Sequence, residues 1–135
     1  MRLTVDSFAW IELIRGTSLG ISTKAYIETA DVCFTPAIVL AEVAHRCRRD
    51  GLQDGQIERE LTAMTEASTL VPINSSLAVE ASQVTEELRA RARSLRLRPA
   101  RLADGLILAT ARETESQLLT SDPHFQGLQG ILWLG

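Results

Sequence analysis

Residues 102–111 have the sequence Leu-Ala-Asp-Gly-Leu-Ile-Leu-Ala-Thr-Ala, which predicts a helix that is apolar on nearly every face. A helix of this kind lies inside a protein rather than on its surface. Its first turns nevertheless contain Asp104, the only charged residue between Arg101 and Arg112. An ionised carboxylate in apolar surroundings costs free energy unless it is paired or bound to a metal ion. The sequence therefore predicts that other groups of the fold, or a cation, meet Asp104.

The composition is that of a single globular domain, residues 1–135, with 45% hydrophobic and 23% charged residues. This length is enough to bury a sizeable core. No apolar run approaches the roughly 20 residues of a membrane span. The N-terminus shows no export signal, so we expect a cytoplasmic protein that does not associate with membranes. Cys33 and Cys47 are too few for a disulfide framework or a zinc cluster, and we predict that both are reduced core thiols.

Short β-prone segments alternate with helical patterns along the chain. The predicted strands are residues 2–5, 32–34, 69–73, 117–120 and 131–134. The predicted helices cover about residues 8–15, 24–30, 36–50, 54–67, 75–97 and 102 onward, with a loop at 17–23. The predicted capping residues are Ser7, Thr23, Thr35 and either Asn74 or Ser75. This alternation predicts an α/β sandwich with a mainly parallel sheet.

Four acidic residues fall where a parallel sheet places its ligand sites, beyond the carboxyl ends of the strands. Asp6 ends the first strand, and Asp122 lies two residues beyond the fourth. Glu42 lies in the second turn of the helix that follows the second strand, and Asp104 lies in the first turns of its own helix. We therefore expect these four side chains to converge at one edge of the sheet.

Each of these acids also has a purely structural interpretation. Asp6 could cap a helix, and Asp122 before Pro123 could form a turn. Glu42 shares a helix face with His45, away from the apolar stripe, which is typical of a solvated residue. Together, four such coincidences at one edge are less plausible than one site. A site of three acids without Glu42 is the remaining alternative.

Carboxylates that lie close together repel one another and raise each other's pKa unless a cation lies between them. A set of oxygen ligands, without Cys or His in matching positions, favours Mg²⁺ or Mn²⁺ over Zn²⁺. Such a site supports phosphoryl chemistry, in which a metal ion activates water and stabilises the charged transition state.

Four segments of the chain resemble the PIN-domain nucleases, and most closely the VapC-type toxins of bacterial and archaeal toxin–antitoxin pairs. The segments are residues 5–12, 36–43, 102–111 and 119–125. The resemblance implies a three-layer α/β/α domain with a central parallel sheet. It also implies an Mg²⁺-dependent endoribonuclease, usually a homodimer, that a cognate antitoxin neutralises. The acidic quartet implied by the matching positions is Asp6, Glu42, Asp104 and Asp122.

Within this quartet, the resemblance implies that Asp6 and Asp104 bind the metal directly. The other two acids are implied to bind it through water or to hold a second ion. Ser7 and Thr120 match hydroxyl positions beside the site, where they would orient its ligands. Gly105 departs from the family pattern, in which alanine is more usual, and is predicted to weaken its helix by about 1 kcal/mol.

An acidic site that cuts RNA needs positive charge nearby, because it otherwise repels a polyanion. Six arginines and no acid occur within 13 residues: Arg89, Arg91, Arg93, Arg96, Arg98 and Arg101. The arginines predicted to bind RNA phosphates are Arg93, Arg96, Arg98 and Arg101. The alternative is a solvated helix face, since 13 of the 14 basic residues are arginine. The arginines within residues 46–49 form a second, weaker candidate.

Other functions fit the sequence less well. A receiver-type signalling domain needs a lysine after a late strand, but Lys24 is the only lysine. A haloacid-dehalogenase-like phosphatase needs a second Asp two residues after the first, where this chain has Phe8. A catalytically silent PIN-like module that acts through protein or nucleic-acid binding is the remaining alternative. His124 is interpreted as a surface turn residue, and His45 as structural or exposed.

Overall fold

The computed structural model describes residues 1–135 and contains one parallel sheet of five strands with six helices. The strands are β1 (Arg2–Val5), β2 (Val32–Pro36), β3 (Thr69–Val71), β4 (Gln117–Thr120) and β5 (Ile131–Trp133). The helices are α1 (Ser7–Arg15), α2 (Ser18–Thr29), α3 (Ala37–Arg49), α4 (Asp54–Ala67), α5 (Ser75–Ser94) and α6 (Leu102–Glu113). All strand pairings are parallel, in the order β3-β2-β1-β4-β5. The predicted α/β/α architecture with a central parallel sheet is confirmed.

Strand β1 lies at the centre of the sheet, where it pairs with β2 on one side and with β4 on the other. The side chains of Leu3 and Val5 are completely buried, as are those of Leu118 and Leu119 in β4. Val5 pairs with Leu119, and the amide of the next residue, Asp6, donates to the Leu119 carbonyl at 3.1 Å. The carboxyl ends of β1 and β4 therefore reach the same edge of the sheet side by side.

Helix α2 begins earlier than predicted, so the loop predicted for residues 17–23 is wrong. Thr17 rather than Thr23 is its N-cap, and the Thr17 hydroxyl accepts the Gly20 amide at 3.1 Å. Gly20 lies so close to α1 that an added Cβ would be 2.1 Å from the Glu12 carbonyl oxygen. A glycine among small polar residues favours a loop in the sequence, but here it permits two helices to pack closely.

Two other predicted caps also differ. Asp6 rather than Ser7 caps α1, since its carboxylate accepts the Ser7 amide at 2.7 Å. Thr35 belongs to β2, and its hydroxyl lies 2.7 Å from the Ser68 hydroxyl instead of capping α3. Pro36 has an extended backbone and directly precedes α3. The threonine–proline pair therefore ends a strand and does not start the helix itself.

Helix α5 and strand β3 end earlier than predicted. Asn74 caps α5 as expected, and its side chain accepts the Leu77 amide at 2.9 Å. The helix ends at Ser94, and Arg96 just beyond it has a left-handed backbone with a φ of 57°. Strand β3 ends before Pro72, which has no amide hydrogen for a further sheet bond.

Both cysteines, Cys33 and Cys47, are buried free thiols, as predicted. They lie in the main hydrophobic core together with side chains from the sheet and the helices. None of the helices is long and apolar enough to cross a bilayer.

Helix α6 is buried along most of its length and packs against α5. Gly105 permits this contact, because an added Cβ would be 1.9 Å from the Thr85 hydroxyl oxygen and 2.8 Å from the Ala81 carbonyl oxygen. The Thr85 hydroxyl donates to that same carbonyl at 2.6 Å. The absence of a side chain at this glycine therefore leaves room for the bulkier Thr85 on α5. Gly105 thus aids packing in addition to the predicted loss of helix propensity.

Gly105→Ala is expected to lower the free energy of unfolding by about 1–3 kcal/mol, because the new methyl group overpacks against Thr85. Gly55→Ala in α4 is the matched control, since its added Cβ meets only the Arg59 side chain, at 3.9 Å. Chemical denaturation should show this control to be neutral or stabilising. The double variant with Gly105→Ala and Thr85→Ala should lose less unfolding free energy than the sum of the losses in the two single variants. Unchanged stability of Gly105→Ala would contradict the interpretation.

Candidate active site

Asp6 is buried at the carboxyl end of β1, with 4% of its surface exposed. Its Oδ1 accepts the Ser7 amide at 2.7 Å, and the Ser7 hydroxyl lies 3.4 Å from the same oxygen. Its Oδ2 accepts a hydrogen bond from the Thr120 hydroxyl at 2.6 Å. The Thr120 oxygen in turn accepts the Asp122 amide at 3.0 Å. Thr120 therefore holds Asp6 and the turn after β4 in a fixed relation.

Asp104 lies in the first turn of α6 and is 3% exposed. Its Oδ2 accepts the Arg101 amide at 2.8 Å, which satisfies one of the unpaired donors at the start of the helix. The positive end of the helix dipole also favours a carboxylate there. Oδ1 lies 3.6 Å from the Arg101 guanidinium. The start of the helix thus compensates part of this buried charge. Its backbone amide bonds to only one of the two carboxylate oxygens.

Glu42 faces the other acids, and its side chain is 18% exposed. Its Oε2 lies 3.3 Å from Nη2 of Arg101, so one guanidinium bridges Glu42 and Asp104. Its Oε1 is buried and has no hydrogen-bond partner. The interpretation of Glu42 as a solvated residue is wrong, because Arg101, the residue directly before α6, reaches its carboxylate and α6 contacts α3.

Burial and repulsion from neighbouring carboxylates disfavour the charged forms of Asp6 and Glu42. Burial raises the pKa of Asp6 from 3.8 to about 7, although the Thr120 hydrogen bond opposes the rise. Burial also raises the pKa of Glu42, and Arg101 opposes that rise. The neighbouring carboxylates, Asp122 among them, add to both shifts. A cation between the carboxylates would relieve this repulsion.

Three of the acids, Asp6, Asp104 and Asp122, line one cleft of about 290 Å³. The cleft is also lined by Ser7, Phe8, Ile11, Arg46, Arg101, Ser121 and Pro123. Glu42 is joined to this group through Arg101. The four predicted acids are therefore neighbours, although they come from four separate segments of the chain.

The residues around the cleft fit a hard divalent cation. Glu42 Oε1 and the Ser121 hydroxyl are buried without hydrogen-bond partners, so the fold leaves polar oxygens there unused. Carboxylate and hydroxyl oxygens are the ligand type that Mg²⁺ and Mn²⁺ prefer. One carboxylate oxygen of Asp104 and one of Asp122 lie within 4.8 Å of each other.

His124 also belongs to this site, contrary to its interpretation as a surface turn residue. Its Nδ1 lies 2.7 Å from Asp122 Oδ1, and its Nε2 lies 2.7 Å from the Arg98 carbonyl oxygen. Both partners are acceptors, so the ring bonds as an imidazolium with both nitrogens donating. Burial opposes that charge, but the bonds to Arg98 and Asp122 raise the pKa of His124. In this state His124 positions Asp122 and does not offer a nitrogen to a metal.

Two of the six clustered arginines donate hydrogen bonds to backbone carbonyls of other segments. The Arg89 guanidinium donates to the Ala100 carbonyl at 3.0 Å. Arg91 donates to the His124 carbonyl at 2.6 Å and to the Gln126 carbonyl. These bonds fasten the loop before α6 and the turn after β4 to helix α5, which holds both segments at the cleft.

The four arginines predicted to bind RNA are exposed. Arg93, Arg96 and Arg98 lie at the end of α5 and in the following loop. The Arg101 side chain is 69% exposed although it reaches Glu42. Arg46, from the weaker basic group, lines the cleft as well. Two arginines, Arg46 and Arg101, therefore line the acidic cleft, and the periodicity of the sequence did not indicate the position of Arg46.

The fold occurs in several solved structures of low sequence identity. A toxin–antitoxin complex from Klebsiella pneumoniae has 20% identity over 98% of both chains and a TM-score of 0.72. VapC20 of Mycobacterium tuberculosis, described as a sarcin–ricin-loop-cleaving toxin, has 16% identity over 96% of both chains and a TM-score of 0.71. VapBC2 of Rickettsia felis, bound to a promoter DNA fragment, has 14% identity over 98% of this chain and 97% of its own, and a TM-score of 0.68.

At these identities the likeness establishes the fold alone. No curated protein matches the sequence. The family model described as PIN domain, however, matches residues 3–130, which is nearly the whole chain. Together with the parallel sheet and the acids gathered at its edge, this match leads to one assignment: the chain belongs to the PIN domain family.

Proposed function

We propose that this chain is an Mg²⁺-dependent endoribonuclease and the toxin of a toxin–antitoxin pair. The observation that supports this best is that Asp6, Asp104 and Asp122 line one cleft, with Glu42 joined to them through Arg101, in spite of the repulsion among these acids. The acids also cap two helices and bond to Thr120 and His124, but those bonds do not remove the repulsion among them. Their retention is explained if the carboxylates hold a cation.

The four acids would hold the cation, which we propose to be Mg²⁺, with Mn²⁺ as a substitute. When bound, it supplies the activation of water for attack on the phosphodiester and neutralises charge on the phosphate. The Thr120 hydroxyl and the His124 ring keep the carboxylates of Asp6 and Asp122 oriented. Ser7 holds Asp6 through its amide.

Phosphate binding would fall to the exposed arginines at the end of α5 and in the loop that leads to α6. Arg93, Arg96, Arg98 and Arg101 position a polyanion without reading its sequence. The toxin role is supported by the fold shared with the Klebsiella pneumoniae and Rickettsia felis toxin–antitoxin complexes. A cognate antitoxin, a homodimer and a cytoplasmic location are parts of the proposal that rest on the family.

The second candidate is a catalytically silent PIN-like module that acts by binding protein or nucleic acid. It would not require the buried, unpartnered Glu42 Oε1 or a complete set of acids. Cleavage of RNA by the purified protein separates the two candidates. The enzyme loses activity in EDTA and regains it with Mg²⁺, whereas the silent module cuts in neither condition.

Asp104→Asn is expected to reduce RNA cleavage by roughly 100-fold or more, because it removes the charge that would bind the cation. The asparagine oxygen can still accept the Arg101 amide, so the fold should persist. Glu58→Gln, an exposed position on α4, is the matched control and should retain full activity. The measurement is cleavage of end-labelled RNA with Mg²⁺ and with EDTA. Full Mg²⁺-dependent activity in Asp104→Asn would refute the proposed site.

Without metal, the chain is expected to become less stable as the pH rises. The pKa of Asp6 is about 7 when folded and near 3.8 when unfolded, so the folded state binds more protons between these values. Unfolding free energy should therefore fall over this window, by on the order of 3–4 kcal/mol from Asp6. Urea denaturation in EDTA at several pH values measures this.

Asp6→Asn is the comparison for this pH effect. It should be more stable than the parent chain at about pH 8, with little difference at about pH 4. Excess Mg²⁺ should stabilise the parent chain at about pH 8 and have a smaller effect on Asp6→Asn. An identical pH dependence of stability in the two proteins would contradict the shifted pKa of Asp6.

Replacing Arg93, Arg96 and Arg98 together by Ala is expected to weaken RNA binding on the order of 10-fold in moderate salt. The slope of log affinity against log salt should fall by about 2, since roughly three phosphate contacts are lost. Arg59→Ala in α4 is the control and should change neither value. Fluorescence anisotropy in EDTA measures binding without cleavage. An unchanged slope would show that these arginines form only a solvated face.

A further inference from the structure

Phe8 places an aromatic ring in the wall of the acidic cleft. It lies in the first turn of α1, two residues after Asp6, and 40% of it is exposed. Ile11, one turn later on the same helix, lines the cleft beside it. One side of the cleft is therefore apolar, while Asp104 and Asp122 form part of the remainder.

The ring of Phe8 is not packed in the hydrophobic core. Trp10 on the same helix is 3% exposed and Phe125 is completely buried, so the neighbouring aromatic side chains are packed inside. Single exposed apolar residues are common on proteins and need no explanation by themselves. The position of Phe8 is informative because the residue shares a cleft with buried carboxylates and with Arg101 and Arg46, of which Arg46 also pairs with Asp50 at 3.6 Å.

These three kinds of group match the three parts of a nucleotide at a cleavage site. The carboxylates suit a cation on the scissile phosphate, and the guanidinium groups suit the flanking phosphates. An aromatic face suits a base, since stacking contributes about 1–3 kcal/mol per base and tolerates any sequence. A base can stack on a side chain only if it is unpaired and turned out of a helix.

We propose that Phe8 is the stacking surface for an unpaired base adjacent to the scissile phosphate. This inference rests on the proposed nuclease function and adds a positioning residue to it. Phe8 acts by positioning the strand and takes no part in the chemistry. A paired base in a continuous duplex gains nothing from the ring.

The test compares Phe8→Leu, which keeps an apolar side chain of similar size, with Phe8→Trp, which restores an aromatic face. Ile21→Ala, an exposed apolar position on α2, is the matched control. Binding is measured in EDTA by anisotropy with a single-stranded RNA and with an RNA duplex of equal length. A single-stranded RNA containing 2-aminopurine reports stacking through the quenching of its fluorescence.

We expect Phe8→Leu to raise the dissociation constant for single-stranded RNA by roughly 5- to 100-fold and to abolish the quenching. Phe8→Trp should restore both, Ile21→Ala should change neither, and duplex binding should be the same in all variants. Equal binding of single-stranded RNA by Phe8→Leu and the parent chain, or equal loss on both RNAs, would overturn the proposal. Absence of quenching with the parent chain would overturn it too, whether or not Phe8→Leu folds.

The binding assay needs no metal, so its outcome is independent of the proposed cleavage. Stacking on Phe8 in a chain that never cuts RNA would refute the nuclease and leave the base subsite intact. Mg²⁺-dependent cleavage with the same KM in the parent chain and Phe8→Leu would refute the subsite and leave the nuclease intact. A raised KM with a smaller change in kcat is the result expected if both hold.

Discussion

A buried carboxylate at the end of the central strand is the constraint on which the rest of this site depends. Asp6 lies where β1 leaves the sheet, and the Thr120 hydroxyl and the Ser7 amide donate to its carboxylate, which offsets part of the cost of burying its charge. The parallel pairing of β1 with β4 brings Thr120 to this position. The same hydroxyl accepts the Asp122 amide, so one hydrogen-bonded oxygen sets the geometry of two acids. The geometry of the site therefore depends on the order of the strands in the sheet.

Much of the fold could be predicted because alternation of strands and helices is a local signal. The failures occurred where long-range packing overrode local preference. Residues 17–23 have the composition of a loop, yet Gly20 serves the close approach of α1 and α2. Gly105 is similar, since its cost to the helix can be estimated from sequence but its fit to Thr85 cannot. The effect of a glycine on helix propensity can be estimated from the sequence, whereas its effect on packing depends on the residues that it contacts.

Three of the acids could be selected from the sequence because Asp6 and Asp122 follow strands and Asp104 lies in the first turn of a helix, and those positions share one edge. Glu42 was the weakest of the four, because helical periodicity assigns a residue off the apolar stripe to solvent. The sequence does not indicate that Arg101, directly before α6, reaches its carboxylate. Arg46 was only in the weaker basic group, and His124 and Phe8 were not assigned to the site, because the sequence does not show which distant residues, such as Arg98 beside His124, lie next to them. The catalytic roles of all these residues stay predictions.

Arg101 contacts the carboxylates that would hold a cation and lies where a phosphate of RNA would bind. Its guanidinium lies between Glu42 and Asp104 and acts as an internal counterion, while most of the side chain faces solvent. If the chain has the proposed function, a divalent cation would compete with it for the same oxygens, and a displaced Arg101 would be free to pair with a phosphate at the mouth of the cleft. Metal and RNA would then behave as cooperative ligands, because each would favour the arrangement in which the other binds. By thermodynamic linkage, the factor by which RNA raises the affinity for the metal would equal the factor by which the metal raises the affinity for RNA.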